Sequence, residues 1–289
     1  DFVPVGKDFT AKRKAARKRI LEVANALTGH KFADDTLIVA TSGRYEFKNK
    51  GIDVFIHAMR RCLDQSADLK NEVLALIQVP GWVAGPRADL QARLDFPQVY
   101  DTALDNPVIT HDLHEMQHDQ VLNLFRALNI SNSEESKVKV IFVPCYLDGA
   151  DGIFQMPYYD LLIGNDLAVY PSYYEPWGYT PLEAVAFHVP CITTSLSGFG
   201  IWAQTVKGDI STLEDGVEGI ARNDYNNDEV AQGICHALLR YSACSDQERD
   251  AMRKKASALS KKALWKNFFT YYKQAYAIAL ENAKLRQSK

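Results

Sequence analysis

Short runs of consecutive apolar residues recur along this chain, and segments with helical spacing separate them. Because these runs are apolar on both faces rather than alternating, they predict strands covered on both faces, as in a parallel sheet. The predicted strands are TLIVAT at 36–41, VLALIQV at 73–79, VKVIFVP at 138–144, DLAVYPS at 166–172 and PCITTS at 190–195. Helical periodicity begins near Ile52 and recurs from about Asp119 to Leu128 and from Pro181 to His188. This alternation predicts an α/β fold with a doubly wound parallel sheet, which is Rossmann-like.

Two regions depart from the alternation of strands and helices. Residues 84–118 are rich in Asp, Pro, Gln and His, and they predict an insertion with little regular strand that extends to about residue 133. Residues 228–284 read as three helices, at 228–242, 246–263 and 265–284, and predict a helical C-terminal extension. The helical spacing of the aromatic residues in the last of them predicts core packing; they are Trp265, Phe268, Phe269, Tyr271, Tyr272 and Tyr276.

Composition and charge narrow the class of protein. Apolar residues make up 47% of the 289 and charged residues 24%, which excludes a disordered chain, a collagen-like repeat and a coiled coil. The net charge is −3 and Lys and Arg are spread along the chain, so we expect no nucleic-acid partner. The longest apolar stretches reach only about half of a bilayer span, so we expect no membrane partner. Five widely spaced cysteines without a CxxC pair indicate reduced thiols and a cytoplasmic location.

The first candidate site is PSYYEPWGYTPLE at 171–183, which follows a predicted strand and opens a helix. Thr180, Pro181 and Glu183 fit the Ncap, N1 and N3 positions of that helix, so one interpretation of Glu183 is a capping box. The other is ligand binding, because Glu175 precedes the helix at the carboxyl end of a strand, where doubly wound sheets bind ligands. The free N–H groups of a helix N-terminus also suit a phosphate. Glu183 could cap the helix, bind a ligand hydroxyl, or do both.

The second candidate site is TSGRYEFKNKG at 41–51, again just after a predicted strand. Gly43 lets the backbone turn, and Arg44 and Lys50 belong to the same loop. Two cations at the carboxyl end of one strand, facing a helix N-terminus from another, would bind a diphosphate without a metal. The simpler alternative is that Arg44 pairs with Glu46 and that Lys50 is merely solvated. Spacing alone favours neither.

Three segments together resemble glycogen synthase of the animal and fungal type (glycosyltransferase family 3): SGRYEFKNKGIDVFIHAM, KVKVIFVPCYL and, most specifically, PSYYEPWGYTPLEAVAFHVPCITTSLSGFG. The resemblance extends from about Asp34 to Gly200 and more weakly through the C-terminal helices. It implies that residues 1–289 are the C-terminal, sugar-nucleotide-binding half of a GT-B glycosyltransferase, and that the N-terminal domain is missing from this chain, which opens at DFVPVGKDFT without an initiator Met. The implied activity is retaining transfer of glucose from UDP-glucose to the non-reducing end of an α-1,4-glucan.

The resemblance also implies roles for individual residues. Arg44 and Lys50 would neutralise the departing UDP diphosphate, and Glu175 would stabilise positive charge at the anomeric carbon. The remaining donor-binding residues would contact ribose (Glu183), uracil (Tyr158), glucose (Trp177 and Gly178) and the phosphates (Tyr179 and Thr180). Since two cations and a helix N-terminus can stabilise the diphosphate, we expect neither a metal nor a cofactor. The family's catalytic histidine belongs to the N-terminal domain, so we expect this chain alone to bind UDP and transfer nothing.

Three properties stay open at this point. Spacing does not distinguish a UDP-glucose donor from an ADP-glucose donor. The helix that the family uses to bind glucose 6-phosphate carries more lysine than arginine here, which argues against activation by that ligand. The insertion, which builds tetramers in the family, is shorter here, so the sequence does not decide whether the chain forms a homo-oligomer.

A competing motif is HEMQH at 114–118, a literal HExxH. On a helix this motif sets two imidazoles on one face with Glu115 as general base, and His111 would be a third zinc ligand. The flanking residues are polar, and Val121 stands where the longer metalloprotease pattern has Gly, so a solvated helix start is favoured over a zinc hydrolase. The other alternative is a sugar-nucleotide-binding or glucan-binding module without catalysis.

Overall fold

The structure, a computed structural model, describes residues 3–208 and 212–287, and its centre is a six-stranded parallel sheet. The strands are β1 (Leu37–Ser42), β2 (Val73–Gln78), β3 (Val83–Pro86), β4 (His111–Leu113), β5 (Val138–Val143), β6 (Leu167–Val169), β7 (Cys191–Thr194) and β8 (Val217–Ile220). Six of them form the sheet in the order β5-β2-β1-β6-β7-β8, and every pair is parallel. The α-helices are α1 (Gly6–Thr28), α2 (Ile52–Asp64), α3 (Ala88–Asp95), α4 (Gln120–Ala127), α5 (Tyr158–Leu162), α6 (Tyr179–Ala186), α7 (Gly198–Lys207), α8 (Asn227–Ala243), α9 (Asp246–Ser260) and α10 (Trp265–Gln287). The doubly wound α/β sheet and the helical C-terminal extension are confirmed.

The strand order places a switch point beside β1. The chain runs from β1 outward to β2 and β5, and then returns to β6 on the other side of β1. Crossovers on the two sides of such a point leave a crevice at the carboxyl ends of the strands, which is where ligands bind in open α/β sheets. Both loops singled out from the sequence, 41–51 after β1 and 171–178 after β6, begin at this crevice.

Both faces of the sheet are buried, as the uninterrupted apolar runs predict. Leu37 and Val39 belong to a core cluster with residues of α2, α4 and α8. Ile38 and Ala40, which point to the opposite face, belong to a second cluster with residues of α1, α3 and α5. Alternate side chains of one strand therefore enter different helical layers, which explains why the strand has no polar face.

Residues 84–118 form a small antiparallel ribbon of β3 and β4 with α3 between them. The two strands have only four and three residues, so this region has little regular strand, as expected. β4 continues toward the main sheet, because the N–H of Thr110 donates to the carbonyl of Phe142 at 3.1 Å. The ribbon thereby borders the carboxyl end of β5.

A buried carboxylate ties α1 and α9 to the start of β6. Asp166 Oδ1 accepts from Arg13 at 2.6 Å and from Arg253 at 2.7 Å, and Asp166 Oδ2 accepts from Arg17 at 2.5 Å. The N–H of Ile38 in β1 also donates to Asp166 Oδ2, at 2.9 Å. Burial alone would raise the pKa of Asp166, but the three guanidinium groups outweigh it and hold that pKa at about 2. One ionised side chain thus holds α1, α9 and β1 at the start of β6.

The aromatic helix α10 is not part of the core, and the prediction of core packing is wrong. None of its described residues is buried, and the exposed fractions of Trp265, Tyr271 and Tyr276 lie between 58% and 67%. Phe268 of α10 reaches rings of the protein body, with centroids 5.4 Å from Trp177 and 5.6 Å from Trp202. The backbone is extended at Leu264, directly before α10. Helical spacing identifies an apolar stripe, but it does not say what covers the stripe.

Two expectations from composition can be compared with the structure. All five cysteines are free thiols, which agrees with the absence of paired spacings. Within residues 3–208 and 212–287, we find no helix with the length and apolar content that a membrane crossing requires.

Candidate functional site

A cavity of about 340 Å³ opens at the carboxyl ends of β1, β2 and β5. It is lined by residues from five separate segments, namely Ser42, Gly43, Arg44, Gln78, Pro80, Cys145, Tyr146, Leu147, Asp148, Tyr158 and Thr180. Three of the residues singled out from the sequence, Arg44, Tyr158 and Thr180, therefore share one cavity although they lie far apart in the chain. The cavity lies at the crevice beside the switch point, where ligands bind in open α/β sheets.

The phenol of Tyr158 is fixed by a side chain at the end of β1. Tyr158 begins α5, and its hydroxyl lies 2.7 Å from Ser42 Oγ. Burial raises the pKa of Tyr158 to about 12, so the phenol is protonated at neutral pH. The ring is thus a neutral, oriented surface in the wall of the cavity, which suits stacking against a flat group.

Gln78 is a lining residue that sequence reasoning missed. It ends β2 and is 5% exposed, and neither Nε2 nor Oε1 of its amide has a hydrogen-bond partner within the described residues. A buried amide without a partner is costly, so its presence at a cavity wall indicates a binding role. The available signal was a single polar residue closing the apolar run VLALIQ.

Lys50 and Glu175 form an ion pair beside this cavity. Lys50 Nζ donates to Glu175 Oε2, and the two side chains are only 14% and 19% exposed. The backbone of Glu175 is held on both sides, since its N–H donates to Leu196 at 3.1 Å and its carbonyl accepts from Gly198 at 3.0 Å. A cation and a carboxylate fixed side by side can stabilise charges of opposite sign that separate during a reaction.

Gly51 sets how closely the two loops approach each other. Its φ is +66°, and a Cβ at this position would lie 2.0 Å from the carbonyl oxygen of Pro171. Only glycine allows both the left-handed backbone and this contact. The loop that carries Lys50 can therefore lie directly against the loop that carries Glu175.

Arg44 pairs with Glu46, as the simpler interpretation of this loop predicts. Its Nε lies 3.2 Å from Glu46 Oε1, and its side chain is 78% exposed. Lys50, in contrast, is not merely solvated, because it pairs with Glu175. Arg44 lines the cavity from an exposed position, so its guanidinium can turn toward a ligand at little cost, since exposed ion pairs contribute little.

The capping box predicted at Thr180 and Glu183 is wrong. The helix begins at Tyr179, its N-cap is Gly178 with φ +101°, and no side chain caps it. Glu183 Oε1 instead accepts a hydrogen bond from the hydroxyl of Tyr159 at 2.9 Å, and burial raises the pKa of Glu183. Glycine can adopt this backbone conformation, so the helix starts two residues after Trp177 rather than at Pro181. Thr180 consequently lies in the first turn, where backbone N–H groups have no intrahelical acceptor.

Trp177 and Tyr179 lie apart from the cavity lining. The ring of Trp177 packs against Phe199, Trp202 and Phe268, with centroids 5.4–6.0 Å away. Tyr179 is 70% exposed at the start of α6. The roles that the resemblance gives to Trp177, Gly178 and Tyr179 stay predictions.

The HExxH segment does not form a helix. Residues 114–118 are turns, and α4 begins after them at Gln120. The helical spacing that would set both imidazoles on one face is therefore missing. His111, Cys145 and Asp151 do lie close together, with one potential ligand atom of each within 4.8 Å of the others. Both ring nitrogens of His111 are occupied, however, by Thr110 Oγ1 at 2.8 Å and the carbonyl of Asp151 at 2.9 Å, so the arrangement is that of a hydrogen-bonded core histidine.

Comparison with known proteins gives one family and several distant relatives. The sequence model of the family described as Glycogen synthase matches residues 99–288. The glycogen (starch) synthase of Neurospora crassa is 26% identical over 86% of this chain and 42% of its own length. The corresponding proteins of Caenorhabditis elegans and Saccharomyces cerevisiae (isoform 1) are 28% and 27% identical, over 86% and 89% of this chain and 44% of their own lengths. The chain thus spans less than half the length of these curated relatives.

Among solved structures, the chain is similar to WaaG, a glycosyltransferase involved in lipopolysaccharide biosynthesis, with 15% identity and a TM-score of 0.48. That match covers 90% of this chain and 50% of WaaG. This chain is also similar to HepE of Anabaena in a complex with UDP, with 14% identity and a TM-score of 0.48. That match covers 93% of this chain and 52% of HepE.

Proposed function

Because the chain belongs to the glycogen synthase family, we propose that it is the nucleotide-sugar-binding part of an enzyme that transfers glucose from UDP-glucose to an α-1,4-glucan. The observation that carries this proposal is the cavity at the carboxyl ends of β1, β2 and β5, which joins Arg44, Tyr158 and Thr180 beside the Lys50–Glu175 ion pair. It supplies a cation, an aromatic surface and a helix N-terminus, which are the groups that a nucleoside diphosphate requires.

In the proposed complex the diphosphate lies between the loop after β1 and the first turn of α6. Arg44 and Lys50 neutralise the charge that accumulates on the departing UDP, and N–H groups near Thr180 bind its oxygens. The ring of Tyr158 supports the base, and Glu183 binds the ribose hydroxyls. We expect no metal requirement, because Arg44, Lys50 and a helix terminus supply the positive potential.

Glu175 acts on the other half of the reaction. Positive charge develops at the anomeric carbon as the glycosidic bond breaks, and a carboxylate held in a nearly buried position stabilises it. Its pairing with Lys50 orients the carboxylate before the donor binds. We assign Glu175 to electrostatic stabilisation and not to nucleophilic attack.

The chain alone is proposed to bind the donor without transferring glucose. The proposal is supported by coverage, since the chain spans only 42–44% of the length of the curated relatives. A GT-B arrangement, in which a second domain closes over the cavity, fits this coverage. We further propose that the enzyme works in the cytoplasm, where its cysteines stay reduced.

Arg44→Ala should weaken UDP binding to this chain about tenfold, because one exposed charge-assisted contact to a phosphate is lost. The fold should be unaffected, since the Arg44 side chain is 78% exposed. Arg60→Ala is the control, because Arg60 pairs with Asp64 within α2 and donates to the carbonyl of Leu128, away from both loops. Isothermal titration of UDP into both variants and the unaltered chain measures the effect. Equal affinities for all three would remove Arg44 from the diphosphate site.

A further inference from the structure

A second cavity, of about 390 Å³, lies at the carboxyl ends of β7 and β8. Its lining consists of Tyr173, Tyr174, Leu196, Arg222, Asn223, Asp224 and Tyr225, none of which has a part in the proposed donor site. We call this group of residues the tyrosine cavity. It adjoins Glu175, because Tyr174 precedes Glu175 in the chain and Leu196 accepts the Glu175 N–H.

The tyrosine cavity presents three aromatic rings to solvent. Tyr173, Tyr174 and Tyr225 are 39%, 60% and 93% exposed. Several large rings gathered at one exposed concave place usually mark a binding surface, whereas single exposed rings carry no such meaning. A tyrosine ring offers an apolar face and a hydroxyl at its edge, so it can cover the C–H face of a sugar ring while bonding a hydroxyl group.

Polar groups complete the lining. The hydroxyl of Tyr173 donates to Asp224 Oδ1, and Asn223 is exposed beside it. Arg222 is only 6% exposed, and its Nε and Nη1 have no hydrogen-bond partner within the described residues. Planar amide, carboxylate and guanidinium groups bond pairs of neighbouring hydroxyls, while the single cation and single carboxylate of the lining balance each other. The cavity therefore suits a neutral ligand rich in hydroxyl groups and not a phosphate.

Hydrogen bonds connect one side of the tyrosine cavity to the loop that carries Lys50 and to the end of β7. The N–H of Tyr173 donates to Asn49 at 2.7 Å, and that loop also carries Lys50. Thr194 Oγ1 donates to the carbonyl of Ser172 at 2.8 Å, which ties the same segment to the end of β7. The rings and the ion pair consequently belong to one connected set of loops.

From these contacts we propose that the tyrosine cavity binds glucose units of the α-glucan acceptor, with Tyr174 and Tyr225 as stacking surfaces. The assignment of the ligand as an α-glucan rests on the proposed function. The chemistry of the lining, which is aromatic, hydroxyl-binding and balanced in charge, is independent of it. A glucan bound here would approach the Lys50–Glu175 pair from the side of β7 and β8.

The test is the affinity of this chain for maltoheptaose, measured by titration calorimetry with the unaltered chain, Tyr174→Ala and Tyr225→Ala. Each substitution should weaken binding about tenfold, as expected for the loss of one aromatic contact. Tyr276→Ala is the control, because Tyr276 is 58% exposed on α10 and lies outside the cavity. UDP is titrated into the same proteins and should bind all four with equal affinity.

The maltoheptaose titrations test the tyrosine cavity, and the UDP titrations test the donor site. Maltoheptaose affinities that are unaffected by Tyr174→Ala and Tyr225→Ala, or no saturable binding by the unaltered chain, would overturn the proposal. Equal loss in Tyr276→Ala would also overturn it, because the effect would not be specific to the cavity. Tyrosine-dependent glucan binding by a chain that fails to bind UDP would support the tyrosine cavity and refute the donor site.

Discussion

Glu175→Gln, introduced into the protein that carries both halves of the enzyme, should lower the rate of glucose transfer about 10²–10³-fold. The substitution keeps the shape of the side chain and removes the negative charge that stabilises the anomeric carbon as the bond to UDP breaks. UDP affinity should be unchanged or higher, because Lys50 loses its carboxylate partner and is freed for the diphosphate. Steady-state rates together with UDP titration separate these two effects.

Glu22→Gln is the control for this experiment, since Glu22 is a half-exposed carboxylate on α1, remote from the loops after β1 and β6. It should leave both turnover and UDP affinity unaltered. Turnover that survives Glu175→Gln would remove Glu175 from the mechanism. A parallel fall in UDP affinity and turnover would assign it to donor binding instead of to transition-state stabilisation.

Asp166→Asn should reduce the free energy of unfolding by about 3–5 kcal/mol, because three nearly buried arginines lose their common counter-ion. The side chains of Arg13, Arg17 and Arg253 are only 10–19% exposed, so water cannot replace the carboxylate efficiently. Asp64→Asn is the matched control: its partner is also an arginine, but the Asp64 side chain is 54% exposed, and the expected loss is below about 1 kcal/mol. Urea unfolding of the three proteins measures both values.

The pH dependence of the unfolding free energy, compared between the unaltered chain and Asp166→Asn, provides an independent check. The pKa of Asp166 is about 2 in the folded protein, below the value of about 3.9 expected for an unfolded chain. A depressed pKa means that the stabilisation is fully present above about pH 4 and is lost as the pH falls toward about 2. The difference in unfolding free energy between the unaltered chain and Asp166→Asn should shrink over this interval. A difference that stays constant from pH 6 to about pH 2 would contradict the charge-based explanation.

The parallel sheet could be predicted because short apolar runs are typical of strands that are buried on both faces. β8 was missed, since its sequence VEGI carries a glutamate and a glycine and offers no such run. Helix α1 was also missed, although Ala16, Ile20, Val23 and Leu27 recur at helical spacing and are buried. Its basic residues concealed that stripe, and three-dimensional contact with Asp166 explains part of their concentration there.

The candidate site could also be predicted only in part. The presence of Arg44, Lys50, Glu175 and Glu183 in two strand-end loops could be read from the sequence, but their partners could not. The pairing of Lys50 with Glu175 depends on Gly51 lying against Pro171, which is a contact between distant segments. The start of α6 depends on a glycine at positive φ, which local capping rules placed two residues too late.

The most direct test of the central claim is calorimetric titration of UDP into this chain in the presence of EDTA. We expect saturable binding with a Kd of ~10–500 μM, equivalent to roughly 4.5–7 kcal/mol, and a parallel titration of ADP identifies the preferred base. Binding that appears only after a divalent cation is added would contradict the metal-free diphosphate site. The absence of saturable binding with either nucleotide would contradict the assignment of the donor site to this chain.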